Sequence, residues 1–250
     1  MKPIKNLLLF LFLLFLNVSI AQKNIKNSFI IPQGYERVNP NNYHKWLINQ
    51  PLIFDSPVKI YQGDIVYGLN DIYIAKFDYS IGVKNLHQCA DAAMYFNATY
   101  LYETNQWDRI NYHFDETYSF PFKRYVWRTH TNDKTALKKY LEKVWAGAGS
   151  LSLDKFDTDP VSLKEAIAGD LIIEGGSPGH VITIVDVIVN KTTGVKKYML
   201  AQSYMPAQEQ YILLNEEDPK TVWFEFKGGE DIETPGWLFS SNSIKRFKNN

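Results

Sequence analysis

The chain has 250 residues, with 27 Lys plus Arg against 27 Asp plus Glu, and 15% of its residues are aromatic. This charge balance lacks the basic patch that a nucleic-acid surface needs, so no nucleic acid is expected as a partner. The length suffices for one large domain with its own hydrophobic core, and the single cysteine, Cys89, excludes an intramolecular disulfide.

Lys2 and Lys5 precede an apolar run over residues 7–16, and Val18-Ser19-Ile20-Ala21 places small residues ahead of Gln22. Charged, apolar and small-residue segments in that order describe a secretory signal. The run is shorter than the ~20 residues of a membrane span, and polar Asn17 interrupts it. The expectation is a leader over 1–21, cleaved after Ala21, and a mature chain 22–250 that works in the periplasm or the medium. It would have no stable membrane anchor, and with no cysteine near the cleavage point it would have no lipid anchor. Losing Lys2 and Lys5 changes the charge balance from 27 and 27 to 25 basic against 27 acidic residues.

Asn39-Pro40-Asn41-Asn42 reads as a turn leading into a short amphipathic helix around 44–48. Strands are expected at 58–61 and 71–77. The clearest helix follows, with Asn85 as its cap, Gln88 reaching back and Asp91 in its early turns. Its faces (Leu86, Ala90, Ala93, Asn97, Tyr100 and Cys89, Ala92, Phe96) are small or apolar, which predicts a buried helix. Residues 107–145 are aromatic and basic with a helix over 135–144. A loop is expected at 147–159 and a short helix at 162–167. From about 169 the chain turns β-rich, with strands at 171–174, 180–189, 197–203, 210–214 and 221–226 and a hairpin turn at 191–194. Helices followed by an antiparallel sheet make a single α+β domain.

Cys89 lies near a helix start, where the dipole and free amides favour a thiolate. A nucleophilic thiol also needs a base. His180 follows a Gly-Ser-Pro-Gly loop and opens an apolar strand, so its ring is expected at a sheet edge within reach of a helix N-terminus. His44, His113 and His130 read as surface residues, and His87, two residues before Cys89, points to another face. The hairpin register brings residues 202–205 beside His180, with Gln202 as the best orienting partner and Ser203 and Tyr204 behind it. Asp186 is about 20 Å along the strand from His180, and Asp170 is expected to close the turn before its strand. Against this stand plainer readings: Cys89 as a buried inert thiol, Asp91 as a dipole partner, Gln202 as a satisfied sheet amide, and the tryptophans as core, groove lining or glycan platforms.

Gly169-Asp170-Leu171-Ile172-Ile173 followed by Ser177-Pro178-Gly179-His180-Val181-Ile182 resembles the histidine region of papain-like hydrolases of the NlpC and CHAP kind. The resemblance implies a papain-like helix packed on an antiparallel sheet, cleavage of peptide or amide bonds in bacterial cell wall, and no metal or other cofactor. Longer strings resemble an uncharacterised family of exported bacterial proteins, domain of unknown function 4846. They are Trp46-Leu47-Ile48-Asn49-Gln50-Pro51-Leu52, Gln88-Cys89-Ala90-Asp91-Ala92, Ser177-Pro178-Gly179-His180 and Ala201-Gln202-Ser203-Tyr204-Met205-Pro206-Ala207-Gln208. That family brings no established activity. The reading is an exported thiol hydrolase or transferase acting on an amide bond, with Cys89 as nucleophile, His180 as base and Gln202 as orienter. Gln88 and helix-start amides would stabilise the oxyanion, with Asp91, Ser203 and Tyr204 in support. The open alternative is a non-catalytic glycan- or peptide-binding protein on the same scaffold.

Overall fold

The structure, a computed structural model, describes residues 22–38, 40–69, 71–215 and 221–249; the expected leader, 1–21, lies outside the described residues. The first half holds β1 (Tyr35–Arg37), β2 (Leu52–Phe54), β3 (Tyr73–Phe77), β4 (Asn111–His113), β5 (Ser119–Pro121) and β6 (Thr158–Pro160). Its helices are α1 (Ile25–Ser28), α2 (Asn42–Leu47), α3 (Cys89–Glu103), α4 (Phe122–Thr129), α5 (Lys134–Trp145) and α6 (Ser150–Ser152). From 171 on, the described residues form strands and turns: β7 (Leu171–Glu174), β8 (His180–Asn190), β9 (Lys196–Gln202), β10 (Tyr211–Leu213), β11 (Trp223–Phe224), β12 (Ile232–Thr234), β13 (Trp237–Phe239) and β14 (Ile244–Phe247). The fold is mixed α+β, as expected, around an antiparallel sheet in the order β2-β3-β10-β9-β8-β7-β14-β6.

The β8–β9 hairpin is the spine of that sheet. His180-Val181-Ile182-Thr183-Ile184-Val185-Asp186-Val187-Ile188 is rich in β-branched residues, which fit a pleated surface, and all nine are buried. Burial without alternation means that both faces of the strand are covered. Asn190 turns the chain at the far end, its Oδ1 accepting the Thr192 and Thr193 amides at 2.9 and 3.0 Å, and Gly194 completes the turn at φ +74°. Because β8 is long, it pairs with β7 along residues 180–183 and with β1 along residues 188–190. Opposite it, β9 pairs with β10 near Gln202 and with β11 near Met199.

Helix α3 lies on β8 and is flanked by α2 and α5. Ala90, Ala92, Ala93 and Ala98 are buried along it and allow that close approach. Its start differs from the sequence expectation. Asn85 is not the cap, because its Oδ1 accepts the Ala207 amide at 2.8 Å and so ties down the loop after β9. The N-cap is Gln88, whose amide is held by Asp91 Oδ2 at 3.0 Å. Cys89 is therefore the first helical residue, not one buried a turn inside.

Other segments also depart from expectation. Residues 58–61 form only isolated bridges, Lys59 to Ile65 and Ile60 to Gln208. The expected loop at 147–159 contains α6, a helical turn (Leu153–Asp157) and strand β6. Helix α4, in the aromatic stretch, and the short strands β12 to β14 were not foreseen, although α4 is amphipathic, with Phe122 and Tyr125 on its buried side. Strand β14 brings Arg246 to Asp170, which it grips with Nε to Oδ1 at 2.6 Å and Nη2 to Oδ2 at 2.8 Å. Asp170 Oδ2 also accepts the Ile167 amide at 2.9 Å and so closes the expected turn.

His44 is not a surface residue. It is 3% exposed, and its Nε2 lies 2.7 Å from Asp186 Oδ1. His113 is half-buried on Asp157, with Nδ1 to Oδ1 at 2.7 Å, whereas His130 is exposed. Asp186 also accepts Arg37 Nε at 2.8 Å and the Val187 amide at 2.9 Å, so a fully buried carboxylate is shared by a strand and a helix on different parts of the chain. Removing one partner of such a buried group leaves the rest uncompensated. Asp186→Ala is expected to lower unfolding free energy by about 3 kcal/mol, measured by urea denaturation; a loss below about 0.5 kcal/mol, the size of an ordinary surface change, would contradict this account.

Candidate functional site

The start of α3, the start of β8 and the end of β9 converge on a cleft of about 800 Å³. Gln88, Cys89 and Asp91 enter it from the helix, the loop Gly176-Ser177-Pro178-Gly179 and His180 from the strand start, and Tyr204, Met205 and Trp237 from the later segments. Glycine is required in the loop for close approach: a Cβ on Gly179 would stand 2.7 Å from backbone atoms of Gly176 and 2.5 Å from Ser150 Oγ. Ser150 Oγ in turn donates to Gly176 O at 3.2 Å. The loop is thereby clamped to α6, which sets where β8 begins and where His180 stands.

Gln202 is the orienting partner of His180. His180 Nε2 lies 2.8 Å from Gln202 Oε1, and Gln202 Nε2 donates to the Tyr211 hydroxyl at 3.0 Å. Tyr211 thereby fixes which way the amide points. An amide oxygen only accepts, so Nε2 must carry the imidazole proton and Nδ1 is the basic nitrogen. The ring is 2% exposed and enclosed by Tyr204, Trp237 and Phe239 at centroid distances of 4.8, 5.2 and 5.9 Å. Burial lowers its pKa from 6.5 to about 4, against a smaller opposing effect of the Gln202 bond. His180 is therefore a neutral imidazole at neutral pH.

Cys89 is half-buried. Its thiol is pushed above its ordinary pKa by burial first; the Val181 and Ala90 amides pull it down, and Asp91 pushes it up again. The expectation of a resting thiolate is thus reversed: the helix-start amides are present, but desolvation of the charged sulfur outweighs them. The Val181 amide faces the Cys89 sulfur, Cys89 and His180 line the same cleft, and His180 is bonded in turn to Gln202.

The supporting residues divide. Asp91 is 5% exposed; burial pushes its carboxyl well above the usual range, and Oδ1 has no hydrogen-bond partner. Its visible work is to hold the Gln88 amide. Gln88 lines the cleft, with Nε2 3.4 Å from Asn85 Oδ1. Ser203 does not touch His180: its Oγ lies 2.7 Å from Gln208 O and 3.2 Å from His87 O, joining the end of β9 to the segment before α3. Tyr204 packs against His180 with the ring planes tilted by 52°.

Three residues have contacts that the sequence reading did not assign to them. Trp237 covers His180 and donates Nε1 to Glu174 Oε2 at 3.2 Å. Ser150 clamps the loop. His87 is fully buried, with Nε2 3.3 Å from the Tyr79 hydroxyl, and stands edge-on to Trp145 at 5.2 Å. Burial lowers its pKa to about 4. Only the aromatic content hinted at these, since their partners are remote in the chain. Among the described residues no group of three or more His, Cys, Asp or Glu side chains could hold a metal ion, and no helix is long and apolar enough to cross a membrane.

A family model described as domain of unknown function (4846) matches residues 25–246. No curated protein and no solved structure matches the chain.

Two outcomes follow from these environments. Native Cys89 should react with iodoacetamide along a pH curve displaced above the ~8.5 of a free thiol, and more slowly at pH 7.5 than in urea; faster native labelling at pH 6 would contradict this. His87 and His180 act on stability with a definite sign. Their folded pKa lies below 6.5, so the unfolded chain takes up protons first. Stability is full above about pH 6.5 and falls as pH drops toward 4. Each histidine accounts for up to about 3 kcal/mol, read as the difference in pH slope between the wild type and His87→Phe in urea titrations; identical slopes would overturn it.

Proposed function

The chain belongs to the family described as domain of unknown function 4846, and from its site we propose an exported thiol hydrolase or transferase that acts on an amide bond by a papain-like Cys-His-Gln mechanism. The observation that supports this reading is the orientation of His180: Nε2 is tied to Gln202 at 2.8 Å, which leaves Nδ1 as the base in a cleft that also holds a helix-start cysteine.

Thiol and imidazole both rest neutral here, so the proton moves during attack rather than before it. His180 Nδ1 takes the Cys89 proton as sulfur bonds to the substrate carbonyl carbon, and the carbonyl oxygen becomes an oxyanion. The free amides at the start of α3, with Gln88 beside them, are the donors available to that oxygen. The tetrahedral intermediate collapses to a thioester as the imidazolium returns its proton to the departing amine. Water, or an acceptor amine in a transferase, then attacks with His180 again as base. Gln202 keeps the ring turned throughout and, being neutral, adds orientation more than charge. Cell-wall peptide is the substrate class this reading carries from the papain-like resemblance, and the mature chain would meet it outside the cytoplasm.

The tests are direct. In hydrolysis of amide substrates followed by mass spectrometry, Cys89→Ala should abolish turnover, and His180→Ala should lower kcat/KM by about 10³-fold. Gln202→Ala should lower it by about 10- to 100-fold, the loss of one buried hydrogen bond. The acid limb of kcat/KM should fall near pH 4 rather than 6.5. If Cys89→Ala retains ligand binding and no variant changes turnover, the non-catalytic binding reading replaces this one. Protein recovered from periplasm or medium should begin at or near Gln22; an intact Met1 would overturn export.

A further inference from the structure

The walls of the cleft carry apolar groups and no cation. Leu86, Trp145, Leu151, Tyr204, Met205 and Trp237 supply its large apolar side chains, and among the described residues no Lys or Arg lines it. Its one acid, Asp91, is buried and occupied with the Gln88 amide. Two of the wall residues are left open to solvent, Leu151 at 47% and Met205 at 67% exposure. Past Tyr204 and Met205 the apolar surface continues into a second hollow of about 300 Å³, where Ile60, Val66, Leu69 and Ile72 face Pro206 and Tyr211. Tyr204 and Met205 line both spaces.

Recognition of a carboxylate-rich peptide calls for Arg or Lys, whose donors replace the water a carboxylate loses. A carboxylate placed in a cleft without a cation gives up that hydration with little return. An aliphatic or aromatic side chain instead gains by covering Leu151, Met205 and the tryptophans. We infer that the site selects substrates with an uncharged, apolar residue on the acyl side of the bond attacked by Cys89, and discriminates against acidic residues there. This rests on the Cys89–His180 reading and narrows its substrate class.

N-acetyl-aminoacyl vinyl sulfones with Phe, Leu, Glu or Lys side chains test it on the full mature chain. Sulfur bonds to the vinyl carbon attached to the amino acid's Cα, the imidazolium proton passes to the carbon next to the sulfone, and nothing leaves. The adduct on Cys89 is read by mass spectrometry against time. The Phe and Leu probes should react at least about tenfold faster than the Glu probe, and Leu151→Lys should narrow that gap by accelerating the Glu probe. A Glu or Lys probe that reacts with the wild type as fast as the Leu probe overturns the selectivity and leaves the thiol mechanism standing. If no probe modifies Cys89, the mechanism itself falls, and the substrate class with it.

Discussion

Strand β8 is buried from His180 to Ile188, so every polar side chain along it must be satisfied from within the protein. That constraint explains two otherwise unrelated networks. Asp186 gathers Arg37, His44 and the Val187 amide, which pins β1 and α2 to the middle of the sheet. His180 gathers Gln202, which in turn engages Tyr211, and so these three side chains are joined across three neighbouring strands. The same rule of burial yields one network in the middle of β8 and another at its start.

Burial also sets the protonation states in the cleft. Local geometry at Cys89 favours a thiolate: first position of a helix, with the Val181 and Ala90 amides directed at the sulfur. The same enclosure strips water from sulfur and imidazole alike, and on both groups desolvation is the largest influence. The pair therefore rests neutral, with the proton held on sulfur and a lone pair waiting on Nδ1. A charged pair would have required solvent or a counter-charge at the ring, and Gln202 supplies neither.

The loop that carries His180 shows how little backbone freedom the arrangement allows. Gly179 sits against Gly176 and Ser150 where no Cβ fits without movement, and Asn85 reaches from the helix side to the Ala207 amide. Helix start, strand start and the loop after β9 are thus connected by direct bonds, which keeps three segments remote in sequence in one geometry. Trp237 closes the arrangement over the imidazole.

Much of this was legible along the chain. The β-branched run from 180, the Asn190–Gly194 turn and the alanine-rich helix announced themselves through local pattern, because propensity and periodicity are short-range properties. The position of the turn puts residues 202–205 near His180, but a β-bulge between Ile184 and Asp186 shifts the register by one residue, which no local pattern announces. The true cap of α3 could not be read, since Asn85 looks like a cap and is diverted by an amide more than a hundred residues away. Nor could the burial of His44, which depends on Asp186, or the covering of His180 by Trp237. The sequence by itself determined the hairpin, the helix and the identity of the residues that meet. Tertiary structure alone decided their charge states, because desolvation depends on what encloses a group and not on its neighbours in the chain.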